Sequence, residues 1–210
     1  MLENAAPGSG RLVETRAPGY VLRVDADAVD MGRFAALVAR AAAITDAAAR
    51  SAVLAEALAL WRGPAFAEFR DVGFIRTPIQ RLEELRLAAL EARADARLEA
   101  GDQADDLALL AGELGELAAR HPLRERIRAL HLRALARAGR QHEALQAYHH
   151  VRRRLAEELG VDPGPGLAAA YQELLRPPAE HRSPGCPAPA THPSGDDRLE
   201  LGTADRDRTR

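Results

Sequence analysis

Residues 120–175 read RHPLRERIRALHLRALARAGRQHEALQAYHHVRRRLAEELGVDPGPGLAAAYQELL. Apolar side chains recur three and four positions apart on both sides of Gly139, as the buried stripe of an amphipathic helix requires. Ile127, Leu130, Leu132 and Leu135 mark one helix over residues 123–138. Leu145, Tyr148, Val151, Leu155 and Leu159 mark its antiparallel partner over 141–159. Gly139 supplies the left-handed backbone for the turn between them, and Gly160 does the same at the second helix's end. Asp162-Pro163 then precedes a short last helix that runs to about Leu175. This is the pattern of stacked helical hairpins, an architecture that binds other proteins more often than it turns over a substrate.

The same helix–Gly–helix unit occurs upstream around Gly101, 38 residues before Gly139. In the second unit Gly139, Ala144 and Tyr148 sit at offsets resembling a tetratricopeptide repeat, whose period is roughly 34 residues. Small residues at such positions let two helices approach closely. In the first unit Asp106 stands in the place of Ala144, so the repeats are degenerate. The expected fold is therefore mostly α: about seven helices in tetratricopeptide-like antiparallel hairpins, preceded by a short β-hairpin.

Working toward the N-terminus, a long helix is expected from about Phe74 to Ala100. Its Ile75, Ile79, Leu82, Leu85, Leu87, Ala89, Leu90 and Leu98 occupy more than one stripe, which calls for neighbours on two sides. Gly101 ends it. The next helix starts at Asp102 or Gln103 and carries Leu107, Leu110, Leu114 and Leu117. Two earlier helices are expected: one beginning with Asp30 as N-cap, one restarting at Thr45 or Asp46 and stopped by Gly63-Pro64. Between Trp61 and Phe74 lies an irregular connector, RGPAFAEFRDVGF, whose Phe66, Phe69 and Phe74 are expected to be buried as bulky anchors. The segment is expected to lock the first helix pair onto the long helix. Residues 12–24 alternate like two strands about Pro18-Gly19 and predict a hairpin. Residues 1–11 and the Pro-rich 177–210 lack the large apolar side chains that offset ordering entropy and are expected to be disordered.

Composition narrows the functional classes. All 29 basic residues are arginine, so lysine-dependent nucleotide sites are excluded. Cys186 is the only cysteine, so neither an internal disulfide nor a cysteine metal cluster is possible, which fits a reducing cytoplasm. No apolar run is long enough to predict a membrane span. Formal charge is uneven: residues 1–119 carry a net −6, whereas 120–160 carry +6, with ten Arg against four acids. The basic stretch suits an acidic partner or a nucleic-acid backbone, or simple solvation of a helix surface.

No catalytic constellation emerges. His142 and His149 are able to share a helical face but have no converging third ligand. Asp25, Asp27 and Asp30 lack the loop pattern of a calcium site. Nucleophile-elbow, P-loop and dinucleotide motifs are absent. No enzyme activity and no cofactor are expected. Arg124, Arg128 and Arg152 are the candidate partner contacts. The structural positions singled out are Tyr20, Leu22, Trp61, Phe66, Phe69, Gly101, Gly139, Ala144, Tyr148 and Pro163.

Five segments in this order resemble the bacterial transcriptional activation domain of the Streptomyces antibiotic regulatory protein family. They are TRAPGYVLRV at 15–24, VDMGRF at 29–34, ALALWRGPAFAEF at 57–69, RLEELRLAALEARADARLEAG at 81–101, and HPLRERIRALHLRALARAGRQHEALQAYHHVRRRLAEELGVDPGPGL at 121–167. The resemblance implies a tetratricopeptide-like activation domain over 30–176. It further implies that 12–24 is the closing hairpin of a winged-helix DNA-binding domain, with Tyr20 and Leu22 packed inward. The residues before Tyr20 hold no counterpart of the recognition helix. Promoter DNA is therefore expected to be read only through that largely absent domain. The expected role is regulatory protein interaction: homodimerisation, or contact with RNA polymerase or another protein. The alternative is a standalone tetratricopeptide-like peptide-binding scaffold unrelated to transcription.

Overall fold

The structure, a computed structural model, describes residues 12–176. The expectations for 1–11, for 177–210 and for Cys186 lie outside the described residues. Two strands, β1 (Val13–Arg16) and β2 (Gly19–Leu22), form an antiparallel hairpin in which Arg16 faces Gly19 and Val13 faces Leu22. Seven α-helices follow among the described residues: α1 (Asp30–Ala42), α2 (Ala47–Ala59), α3 (Arg76–Ala100), α4 (Ala104–Arg120), α5 (Glu125–Arg137), α6 (Gln141–Leu159) and α7 (Pro165–Leu175). No helix among the described residues is long and apolar enough to cross a membrane.

Local chemistry sets the helix ends. Asp46 is the N-cap of α2, its carboxylate accepting from Ala49 N–H at 2.7 Å. At α1 the expectation is corrected: Val29 holds the N-cap position, and Asp30 is the first helical residue, where its negative charge favours the N-terminal dipole. Gly101 and Gly139, both at φ +76°, and Gly160, at φ +67°, terminate α3, turn α5 into α6, and end α6. Pro165 opens α7 at a position that needs no N–H. Pro163 therefore lies just outside the helix, and Gly164 N–H is held by the Glu125 carboxylate at 2.6 Å.

Two cores meet on α3. The first joins Phe34, Leu37, Ala41, Leu54, Ala57 and Ala89 from α1, α2 and α3. The second spans Ala94 and Leu98 of α3, Leu107 to Ala118 of α4, Ile127 to Leu135 of α5, Ala144 to Leu155 of α6, and Leu167, Ala170 and Leu174 of α7. The several stripes read on the long helix are thus two burial directions. Ala144 is fully buried between α6 and its neighbours, and Tyr148 stacks on Tyr171 of α7 with ring centroids 3.8 Å apart. Leu159, expected in the α6 stripe, is exposed, because the helix ends one residue later at Gly160.

The aromatic connector departs from its sequence reading. Trp61 does join the first pair to α3: it meets Phe34 edge-on at 5.5 Å, and the Arg86 guanidinium lies 4.6 Å over its ring. Phe66, Phe69 and Phe74, however, are exposed, Phe74 to 82%. Helices that meet through Ala41, Ala57 and Ala89 approach too closely to admit three more rings. Phe66 also adopts a left-handed backbone (φ 48°), which turns the chain into the short 3-10 turn Ala67–Phe69. Tyr20 and Leu22 are likewise exposed, at 78% and 59%, rather than packed inward: among the described residues no second layer covers the two-stranded hairpin.

Candidate partner-binding groove

Helices α4, α5 and α6 enclose an open groove of about 700 Å³. The α4 wall presents Gly112, Gly115 and Ala119, spaced three and four apart, so one face of that helix is nearly bare backbone. Arg128, His131 and Leu135 of α5 form the floor. Gln146, His150 and Arg154 line the α6 wall on one helical stripe. Gly115 lies so close to the His131 ring that an added Cβ would stand 3.4 Å from Nε2.

Three arginines, Arg128, Arg140 and Arg154, and two carboxylates, Glu116 and Glu143, line the groove. Arg128 donates from Nε to the Pro122 carbonyl at 2.8 Å and from Nη2 to the Ala118 carbonyl at 3.2 Å. Those carbonyls belong to the end of α4 and the turn after it, where a cation is favoured. No carboxylate pairs with Arg128 among the described residues. Burial, with Arg154 nearby, lowers its pKa from the ordinary arginine value. His131 is pushed below the ordinary histidine value, first by burial and then by Arg128 and Arg140; Glu143 opposes the shift. Arg140 and Glu143 satisfy each other through two bonds of 2.7 Å, and Arg154 holds Glu158 at 2.6 Å. Arg128 is therefore the groove arginine without a carboxylate partner, and Glu116 of α4 is the lining carboxylate that makes no ion pair among the described residues.

The three arginines singled out from sequence do not converge. Arg128 lies on the floor. Arg124 points to α3, donating to Glu91 and Glu84, both at 2.5 Å, and these carboxylates raise its pKa. Glu91 is the one buried charged residue among those described, 4% exposed. Arg124 is thus committed to an internal ion pair that spans α3 and the start of α5. Arg152 is exposed on α6, about 200° around the helix from Arg154. The groove members that sequence reasoning missed are His131, His150 and Arg154. His150 and Arg154 belong to a polar stripe at 143, 146, 150 and 154 beside the apolar one on α6, whereas nothing in the local pattern of α5 marks His131.

Among the described residues no cluster of His, Cys, Asp or Glu is arranged to hold a metal ion. His142 instead meets Gln146 at 2.8 Å, and His149 lies edge-on to Tyr148 and Tyr171.

Comparison with known proteins gives concordant matches. Residues 29–175 match the family described as "Bacterial transcriptional activator domain". The transcriptional regulator RedD of Streptomyces coelicolor is 38% identical over 196 residues, covering 89% of this chain and 55% of that protein. The regulatory protein DnrI of Streptomyces peucetius is 37% identical, covering 82% and 64%. The regulatory protein AfsR of Streptomyces griseus is 42% identical, covering 81% and 18%. Among solved structures, Mycobacterium tuberculosis EmbR in complex with a low-affinity phosphopeptide superposes with a TM-score of 0.71 at 34% identity, covering 83% of this chain and 46% of that one. The chain spans less than two thirds of each of these relatives.

Proposed function

The chain belongs to the bacterial transcriptional activator domain family, and from that premise we propose that it is the protein-contacting regulatory part of a transcriptional activator, docking an acidic surface of RNA polymerase in the α4–α6 groove. Membership makes the role regulatory rather than enzymatic. The observation that carries the proposal is Arg128, part-buried on the groove floor without a carboxylate partner and beside Arg154. Positive charge in a cleft with low-dielectric walls attracts an acidic segment and orients it. The bare α4 wall allows that segment's backbone to come close. In this reading promoter DNA is read by a winged-helix domain, of which β1 and β2 are the closing hairpin.

The test uses immobilised chain and purified RNA polymerase holoenzyme from a related actinobacterium. Reversing groove charge with His150→Glu and Arg154→Glu together is expected to weaken binding about tenfold or more, while Arg152→Glu, on the far side of α6, leaves it unchanged. Circular dichroism verifies that both variants keep their helicity. Equal affinities for the groove variant and the unaltered chain would refute the assignment.

A further inference from the structure

The first hairpin meets α3 around a pit of about 300 Å³. Phe34 of α1 is buried and forms its floor, so the pit reaches down to the first core. Met31 of α1, Leu60 and Trp61 at the end of α2, Phe66 of the connector and Leu82 of α3 form the walls. Its ionisable side chains are Asp30 and Arg62, both exposed, and they satisfy each other at 3.2 Å. The α4–α6 groove is the opposite case, with arginine, histidine and glutamate spread along its lining. Apolar and aromatic walls with a few polar groups at the edge are the composition of small-molecule sites.

Shape decides the class of occupant. On α1 the lining runs only from Asp30 to Phe34, a length of about 6 Å, and α3 contributes Leu82 alone. A helix lying in a groove needs several turns of contact, with anchors a turn or two apart, and the pit does not offer them. Its volume is at the lower end of the range for small-molecule sites, roughly 300–1,000 Å³, and suits one or two fused rings. Two features of the wall fit a missing ligand. Met31 and Phe66 are left 44% and 37% exposed over an otherwise apolar hollow. Phe66 is also the one non-glycine residue at positive φ among those described, and strain of that kind gathers at ligand clamps. The Ala65 N–H beside it donates to the Glu83 carboxylate at 3.3 Å, which ties this loop to α3.

We propose that the pit is a binding site for a small uncharged aromatic molecule, one or two fused rings with a carbonyl oxygen at the edge. The rings displace water from Phe66, Leu60 and Leu82. The carbonyl oxygen accepts from Arg62, which engages Asp30 through Nη2 and has further donors on the same guanidinium. A charged ligand is not favoured, because Asp30 and Arg62 already neutralise each other. Occupancy bridges the first hairpin to α3 at the junction where Arg86 lies over Trp61, so binding there stabilises the fold.

Trp61 is the only tryptophan of the chain and stands in the wall of the pit, so its fluorescence reports on this site alone. The probe is 7-methoxycoumarin, an uncharged two-ring lactone whose absorption overlaps tryptophan emission. Titrated into the full chain, it is expected to quench Trp61 saturably, with half-saturation at about 0.1 mM. At ten times that concentration it is expected to raise the thermal midpoint by about 3 °C. Met31→Glu places a carboxylate in the wall, in the first turn of α1 where negative charge suits the helix. This variant, shown by circular dichroism to keep its helicity, is expected to bind about tenfold or more weakly, whereas Met31→Leu stays within about twofold of the unaltered chain. Phe74→Ala, which removes an exposed ring outside the pit, is expected to leave the affinity unchanged, and so is His150→Glu with Arg154→Glu. Quenching that rises linearly with no shift in the midpoint would overturn the proposal, as would an affinity undiminished in Met31→Glu or equally reduced in Phe74→Ala.

Discussion

At the residue scale the structure separates arginines that hold the fold together from those that face outward, a distinction that charge counting does not make. Arg124 lies in the basic stretch, yet it neutralises a carboxylate buried on α3. Arg133 holds Glu173 of α7 through two bonds of 2.9 Å, and Arg50 caps the Ile44 and Thr45 carbonyls while reaching Glu99. Removing one member of a buried pair strands the other, which costs more than the pair itself contributes. Arg124→Ala is therefore expected to lower unfolding free energy by about 3 kcal/mol in urea denaturation, and Glu91→Leu combined with Arg124→Met to recover most of that loss. A single variant as stable as the unaltered chain would show that Glu91 is not buried as described. The pairing was invisible in sequence because Arg124 and Glu91 are 33 residues apart, and nothing in the local pattern ties the start of α5 to the middle of α3.

At the scale of elements, helix existence and order were legible because the signals are local. Gly101, Gly139 and Gly160 take the positive φ that their turns require, and the boundaries of α6 coincide with those read from its periodicity. The connector before α3 was not legible. Aromatic residues there suggested burial, but burial is decided by how closely α1, α2 and α3 approach, and alanines set that distance. One close approach is severe enough to test. A Cβ on Gly32 of α1 would stand 1.8 Å from the Ala26 carbonyl oxygen, in the 3-10 turn Ala26–Ala28. Both the turn and α1 would have to shift, so Gly32→Ala is expected to cost about 3 kcal/mol. The favourable helix propensity of alanine, worth roughly 1 kcal/mol over glycine, would not offset it. A thermal scan in which Gly32→Ala melts at or above the temperature of the unaltered chain would contradict the close contact.

For the whole molecule, the sequence asymmetry in charge survives in the structure in altered form. Part of the basic stretch is spent on ion pairs across the helical stack, among them Arg124 with Glu84 and Glu91, and Arg126 with Glu91 and Asp95. Of what remains, Arg128 lies on the floor of the α4–α6 groove, whereas Arg152 and Arg153 are exposed on α6 outside it. The hairpin repeat and the groove are two consequences of one pattern: helices stacked by apolar stripes leave the polar stripe of α6 facing the small residues of α4 across a cleft. The stripe spacing was readable from the sequence, whereas the side of the stack on which the cleft opens depends on the tertiary order of α4, α5 and α6.

The central claim is that this cleft is where the chain meets the transcription machinery. The most direct measurement places the photo-crosslinker p-benzoylphenylalanine at position 150 in the groove, or at position 152 on the opposite side of α6, and irradiates each with RNA polymerase holoenzyme. The account predicts a crosslinked polymerase subunit from position 150, mapping to an acidic segment, and none from 152. Crosslinking from 152 with none from 150 would contradict it.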